Sequence, residues 1–197
     1  IPPFVPPAHW RRWIGFDWGY AAPYVVLFFA ENPDTKEVVV YRELTGNKAH
    51  DSEIAARIME AAQLEAIGAM YCDPSIWSKK NDTSTADIIA HTPGWRIPLE
   101  PANNDRLQGW RRVHEYLGWK PDGFGGEAVS PLLKICENCR YLLQSLPALV
   151  YDDVRVEDVD TDGDDHAADA LRYGLVSRAG VHLPNVNGGS IVFFSRI

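Results

Sequence analysis

The chain has 197 residues and a formal net charge of −8, with 46% hydrophobic and 23% charged residues. That balance excludes a disordered chain, a collagen-like repeat and a small disulfide scaffold. The longest apolar run, Tyr24 to Ala30, is far short of the ~20 residues that a membrane-spanning helix needs. The acidic total argues at first sight against a nucleic-acid partner, because phosphate repels net negative charge.

Residues 1–12 contain Pro2-Pro3 and Pro6-Pro7 and read as the remnant of a linker to something upstream. Residues 13–180 have the length of one domain. Strands are predicted over 13–19, 24–31 and 37–44, with turn signals at Ala21-Ala22-Pro23 and Asn32-Pro33-Asp34, giving an antiparallel meander. Asp51 is placed to cap a helix over 52–63 whose inner face carries Ile54, Ala55, Ile58, Met59 and Ala62. A short buried strand over 66–72 ends at Asp73-Pro74. A helix over 83–90, a strand at 96–99 and an amphipathic helix over 105–117 follow. Residues 118–126 read as a Gly-rich loop. Leu132, Leu133, Ile135, Cys136, Cys139, Leu142, Leu143 and Leu146 recur at helical spacing after Ser130-Pro131 and predict a helix over 131–146. Residues 154–159 are weakly strand-like, a last helix runs from about 164 to 180, and 181–197 form a tail.

Three cysteines, Cys72, Cys136 and Cys139, fit a reducing compartment. No second pair completes a zinc ribbon with Cys136-x-x-Cys139, so both are read as core positions of the 131–146 helix. The element order predicts an α/β protein with a central mixed sheet flanked by helices. If the 66–72 strand lies parallel to the first strand, their C-terminal ends align and bring Asp17 beside Asp73.

Asp17 lies inside an apolar strand and Asp73 ends another. Each alone fits a turn or cap, yet carboxylates are rarely buried without a partner. The third acidic spot is Asp164-Asp165-His166-Ala167-Ala168-Asp169. On a helix Asp165, His166 and Asp169 share one face. Capping accounts for Asp164 and Asp165 but not for Asp169, one turn deeper. A divalent cation would resolve the repulsion, since hard cations bind clustered oxygens. Together the three spots form a pocket able to hold two Mg²⁺ or Mn²⁺ ions for phosphodiester hydrolysis. A competing pattern, Asp158-x-Asp160-x-Asp162-Gly163 with Asp169 in twelfth place, is similar to a calcium loop. It lacks the terminal Glu, the entering helix and a paired second loop.

Four stretches, Gly15-Phe16-Asp17-Trp18-Gly19, Tyr71-Cys72-Asp73-Pro74, Asn104-Asp105-Arg106-Leu107-Gln108-Gly109 and Asp165-His166-Ala167-Ala168-Asp169-Ala170-Leu171-Arg172-Tyr173, resemble the nuclease domain of the large terminase subunits of tailed bacteriophages. The resemblance spans about residues 13–178, and its last motif is the most specific. It implies a ribonuclease H-like fold and a metal-dependent endonuclease that cuts concatemeric viral DNA during packaging in the host cytoplasm. It also implies an ATPase motor N-terminal to the domain, a portal protein and a small terminase subunit as partners. Asp17 matches the acid that bridges both metals, Asp73 the second-strand ligand, and Asp165, His166 and Asp169 the C-terminal helix motif; which of that trio contacts metal directly is left open.

Lys79, Lys80, Arg106, Arg111 and Arg112 are the basic candidates for DNA contact, mainly to phosphates. Arg172 is placed to orient Asp169. His9, His50, His91, His114 and His182 show no partner pattern and read as structural. A junction resolvase or transposase-like polynucleotidyl transferase is the alternative within the fold, and a calcium-binding docking module the alternative outside it. Asp17, Asp73, Asp164, Asp165 and Asp169 place five negative charges in one pocket, to which two divalent ions return about four positive charges. The negative total therefore does not exclude DNA; it predicts weak, salt-sensitive, metal-dependent binding.

Overall fold

A computed structural model describes residues 1–79, 81–119, 130–149 and 164–177. Lys80, the glycines of the 122–126 loop, the 154–159 segment, the calcium-loop-like stretch at 158–163 and the 181–197 tail lie outside the described residues.

Among the described residues, six strands form one sheet in the order β5-β4-β1-β2-β3-β6. Strands β1 (Arg11–Asp17), β2 (Tyr24–Glu31) and β3 (Val38–Gly46) make the antiparallel meander. Every residue of β2 is buried, as its unbroken apolar run requires of a strand covered on both faces. β4 (Ile67–Cys72) runs parallel to β1, and β5 (Leu99–Pro101) parallel to β4. The parallel register sets Phe16 opposite Cys72, so Asp17 and Asp73 leave neighbouring strand ends together.

The helices are α1 (Asp51–Ala62), α2 (Thr85–Ala90), α3 (Arg106–Leu117), α4 (Arg140–Ser145) and α5 (His166–Val176). Strand alternation turns Trp13, Gly15 and Asp17 to one face, and α5 lies on it: Trp13 Nε1 donates to the Gly174 carbonyl at 2.7 Å. On the other face Arg57 of α1 donates to Tyr24 Oη at 3.0 Å. α3 packs against α5.

Three glycines set how closely these layers approach. A Cβ on Gly15 would lie 2.2 Å from the Ala170 carbonyl oxygen, one on Gly174 2.3 Å from the Phe29 ring, and one on Gly109 2.3 Å from the stem of Arg172. With Ala167, Ala168 and Ala170 fully buried beside them, α5 sits deep on the sheet. That depth brings His166 and Asp169 down to the end of β1.

The expected helix over 131–146 is a correction. The chain there forms β6 (Leu133–Ile135), parallel to β3, then a turn closed by the Cys139 amide donating to the Cys136 carbonyl, and only then α4. Helical periodicity in that stretch came from residues that alternate into the core through a strand and a turn. The N-terminus of α4 is closed from a distance: the Tyr141 and Leu142 amides donate to the Glu43 carboxylate of β3 at 2.9 and 2.7 Å, satisfying helix-end donors that local sequence leaves unpaired. Cys136 and Cys139 remain buried, their thiols facing the carbonyls of Pro2 and Val40.

Asp51 is also corrected. It is the first residue of α1 rather than its side-chain cap, and its carboxylate accepts from Trp18 Nε1 at 2.9 Å and Thr85 Oγ1 at 2.9 Å. The strand expected at 96–99 is displaced to Leu99–Pro101. Residues 1–10 pack onto the domain: Ile1 exchanges backbone hydrogen bonds with Ile135 and Glu137, and the guanidinium of Arg12 donates to the carbonyls of Pro6 and Pro7.

Candidate active site

The C-terminal ends of β1 and β4 and the N-terminal turn of α5 meet at one place. Asp17 closes β1 and is 6% exposed. The Asp73 amide donates to the Phe16 carbonyl at 3.0 Å, which fixes Asp73 beside it. Asp73 then caps the 3₁₀ turn Pro74–Trp77, its Oδ1 accepting from the Ser75 amide at 2.8 Å. Asp73 therefore caps a turn with one oxygen while its charge lies near enough to Asp17 to raise it.

From α5, His166 Nδ1 lies 3.0 Å from Asp17 Oδ2. Asp165 stands at the N-cap and Asp169 one turn on, both partly buried. Burial pushes the Asp17 carboxyl up to about 6, against the hydrogen bond from His166 and with help from the negative charges of Asp169 and Asp73. Asp165 is raised as well, by burial and then by Asp169. The hydrogen bond to Asp17 raises His166 above its ordinary value. Burial is the main cause for the two carboxyls, with neighbouring negative charge adding to it, whereas the carboxylate partner favours the charged form of His166.

Two arginines attend the pair on α5. Arg172 is fully buried; its Nε donates to Asp169 Oδ1 at 3.1 Å and its Nη2 to Asn104 Oδ1 at 3.2 Å. Its guanidinium lies 4.6 Å from the centroid of the Tyr173 ring, and the Tyr173 hydroxyl also reaches Asn104 at 3.4 Å. Arg106, at the start of α3, stands 3.5 Å from Asp169 Oδ2 and 3.8 Å from Asp165 Oδ2. Of the other basic candidates, Lys79 is exposed just beyond Asp73, Arg111 is exposed on α3, and Arg112 pairs with Glu115 at 2.9 Å.

The donor set is all carboxylate oxygen plus one imidazole, which suits a hard divalent cation. Among the described residues no group of three or more His, Cys, Asp or Glu side chains is placed so that it could hold a metal ion. Asp17 faces His166, Asp169 faces Arg172 and Arg106, Asp165 faces Arg106, and Asp73 bonds the Ser75 amide. The strained ionisation of Asp17 and Asp165 is nevertheless what a dication would relieve.

The sequence matches no protein-family model and no curated protein. Solved structures do match. The large terminase of a thermophilic bacteriophage, in complex with ATP-γ-S, superposes with a TM-score of 0.69 at 17% identity over 90% of this chain and 42% of its own. The P22 large terminase nuclease domain gives 0.68 at 12% identity, over 89% of this chain and 85% of that one. The nuclease domain of the bacteriophage SPP1 large terminase, with bound Mn, gives 0.57 at 16% identity, over 83% and 84%. The fold is the ribonuclease H-like fold of terminase nuclease domains. This chain spans about two fifths of the length of the thermophilic phage's terminase and most of the length of the two nuclease domains.

Sequence reasoning gave no role to two residues that tie the elements around these acids together. Asn104 joins Arg172 and Tyr173 across the α3–α5 interface; the signal was a helix-borne arginine among alanines, which needs more than one acceptor when buried. Tyr141 of α4 donates its hydroxyl to Asp164, tying α4 to the start of α5. Nothing local in the sequence announces that contact.

Proposed function

We propose that the chain is a metal-dependent DNA endonuclease domain of a viral DNA-packaging terminase, cutting concatemeric genomic DNA by two-metal phosphodiester hydrolysis. The observation that carries this reading is the meeting of Asp17, Asp73, Asp165 and Asp169 at one end of the sheet, with Asp17 buried and its carboxyl raised to about 6. Stability alone gives no reason to gather buried like charges there. The likeness to terminase nuclease domains, one of them with bound Mn, supports the same reading.

Asp17, Asp73, Asp165, His166 and Asp169 would hold Mg²⁺ or Mn²⁺. When bound, such ions polarise the scissile phosphate and lower the pKa of water. The chain's own residues set the stage for that chemistry. Asp17 is fixed by the sheet, Asp73 by its backbone bond to Phe16, and Asp169 by Arg172. His166 keeps a proton donor against Asp17 in the metal-free pocket. Lys79, Lys80, Arg106, Arg111 and Arg112 are the proposed phosphate contacts, which position DNA without reading its sequence. An ATPase motor upstream, a portal protein, a small terminase subunit and a site of action in the host cytoplasm belong to this proposal; the ATP-γ-S-bound terminase of the thermophilic phage, of which this chain spans two fifths, supports the motor.

Plasmid digestion in Mg²⁺ or Mn²⁺ tests the reading. Wild type is expected to nick and linearise DNA, while Asp17→Asn and Asp73→Asn lose cleavage and keep the wild-type circular dichroism spectrum. Full activity in either variant overturns the assignment.

A further inference from the structure

We propose that Asn104 is a positioning residue for Asp169: it takes the second arm of the Arg172 guanidinium and so limits that arginine's hold on Asp169 to one oxygen. This rests on the metal-site reading proposed above and deepens it by naming a residue that keeps Asp169 available as a ligand.

Arg172 has little freedom. It is fully buried, its stem fills the space that Gly109 leaves open, and its guanidinium lies 4.6 Å from the centroid of the Tyr173 ring. The side chains around it therefore set which acceptor each nitrogen meets. Nε donates to Asp169 Oδ1 at 3.1 Å and Nη2 to Asn104 Oδ1 at 3.2 Å. Nη1 is buried with no hydrogen-bond partner among the described residues. Two neighbouring guanidinium nitrogens are what an arginine uses to grip both oxygens of one carboxylate. Here Nε and Nη2 are divided between a carboxylate and an amide.

Asn104 is itself held in place by its neighbours. It sits directly before Asp105, the cap of α3, whose amide donates to Asn103 Oδ1 at 2.9 Å. The Asn103 amide donates to Ser177 Oγ, at the end of α5, at 2.8 Å. Arg172 and the Tyr173 hydroxyl, 3.4 Å away, both turn donors toward Asn104, so its oxygen faces them. Without Asn104, two buried nitrogens of Arg172 would lack an acceptor, and an unpaired buried donor is costly. The acceptor already in contact is the Asp169 carboxylate. Closing Nη2 onto it restores a hydrogen bond but ties that carboxylate up through two charge-assisted contacts instead of one. A metal reaching Asp169 would then have a second bond to break. Arg106 stands 3.5 Å from Asp169 Oδ2 and 3.8 Å from Asp165 Oδ2, so two arginines already attend these two carboxylates. What Asn104 changes is how one of them bonds, not the charge.

Thermal melts of the whole chain in EDTA test the pairing without metal. Asn104→Ala alone is expected to lower the melting temperature by under about 3 °C, because Nη2 re-pairs with Asp169. Asp169→Asn keeps one oxygen for Nε but offers no second oxygen. In that background Asn104→Ala should cost about 6 °C or more. Isothermal titration reads the consequence for the site. Asn104→Ala should bind Mn²⁺ about tenfold more weakly than wild type, near the low end of what one charge-assisted hydrogen bond supplies. A role in fold stability alone would leave the affinity of the folded variant unchanged. Equal or tighter Mn²⁺ binding by Asn104→Ala, or the same melting cost in both backgrounds, overturns the inference and leaves the metal site standing. No Mn²⁺ binding in wild type overturns the metal reading, and the melts alone then decide how Arg172 is shared.

Discussion

Removing the charge of Asp17 is expected to stabilise the metal-free protein and abolish cleavage in the same step. Asp17 is 6% exposed and its carboxyl is raised from 3.8 to about 6, mainly by burial, which the hydrogen bond from His166 opposes and the charges of Asp169 and Asp73 reinforce. At about 1.4 kcal/mol per pKa unit, ionising it inside the fold costs about 3 kcal/mol. The sign follows from linkage: an acid with a raised folded pKa leaves stability intact below the unfolded value, and that stability drains away as pH climbs through the folded value. The wild type therefore loses this contribution between about pH 4 and pH 6 and lacks all of it at pH 7.5. Asn has the same shape and no charge to bury. For a chain of this length about 2–4 °C accompanies each kcal/mol, so Asp17→Asn should melt roughly 6–12 °C above wild type at pH 7.5 in EDTA, with the two curves converging near pH 4. Saturating Mn²⁺ should stabilise the wild type and narrow the gap. A variant that melts at or below wild type at pH 7.5 in EDTA refutes the claim that the pocket stores unrelieved charge.

Other substitutions probe what positions the pocket. Gly15→Ala drives a methyl to 2.2 Å from the Ala170 carbonyl oxygen; overpacking of about 3 kcal/mol is expected, read as a lower melting temperature with a larger loss of Mn²⁺ binding, and an unchanged melt would show that α5 does not approach β1 so closely. Arg172→Leu strips the partner from Asp169 and Asn104 and is expected to lower stability by about 3–5 kcal/mol in urea titration, whereas a loss under about 1 kcal/mol argues against a tightly held buried pair. All three thiols are buried, and Cys139 is pushed up to about 12. They should resist a disulfide-exchange reagent at pH 8 in the native state and react fully only in urea. Rapid native labelling of any one contradicts the packing.

Most of the sheet was legible in the sequence because its signals are local. Turns at Pro23 and Pro33-Asp34 separate the three strands of the meander, and the unbroken apolar run of β2 marks a central strand. The helix expected to begin at Asp105 forms as α3, with Asp105 as its cap, accepting from the Gln108 amide at 2.9 Å. The stretch around Cys136 was not legible. Its apolar spacing fits a helix, but pairing with Val38–Val40 and the distant Glu43 cap divide it into β6 and α4. Partners about 100 residues away in sequence outweighed local periodicity.

The sequence by itself determined the chemical inventory: an aspartate at the end of one apolar strand, a second at the end of another, and an Asp-His-x-x-Asp turn on a helix. It also determined that the first two could stand side by side, since parallel pairing aligns strand ends. Only the tertiary structure decided how the acids are held. Glycines at 15, 109 and 174 lower α5 until His166 meets Asp17, while Arg172 holds one oxygen of Asp169 and Arg106 stands 3.5 Å from the other. Residue identity states what a side chain can bind. Which charge it meets, and how firmly, depends on distances and burial that exist only once the helices close over the sheet.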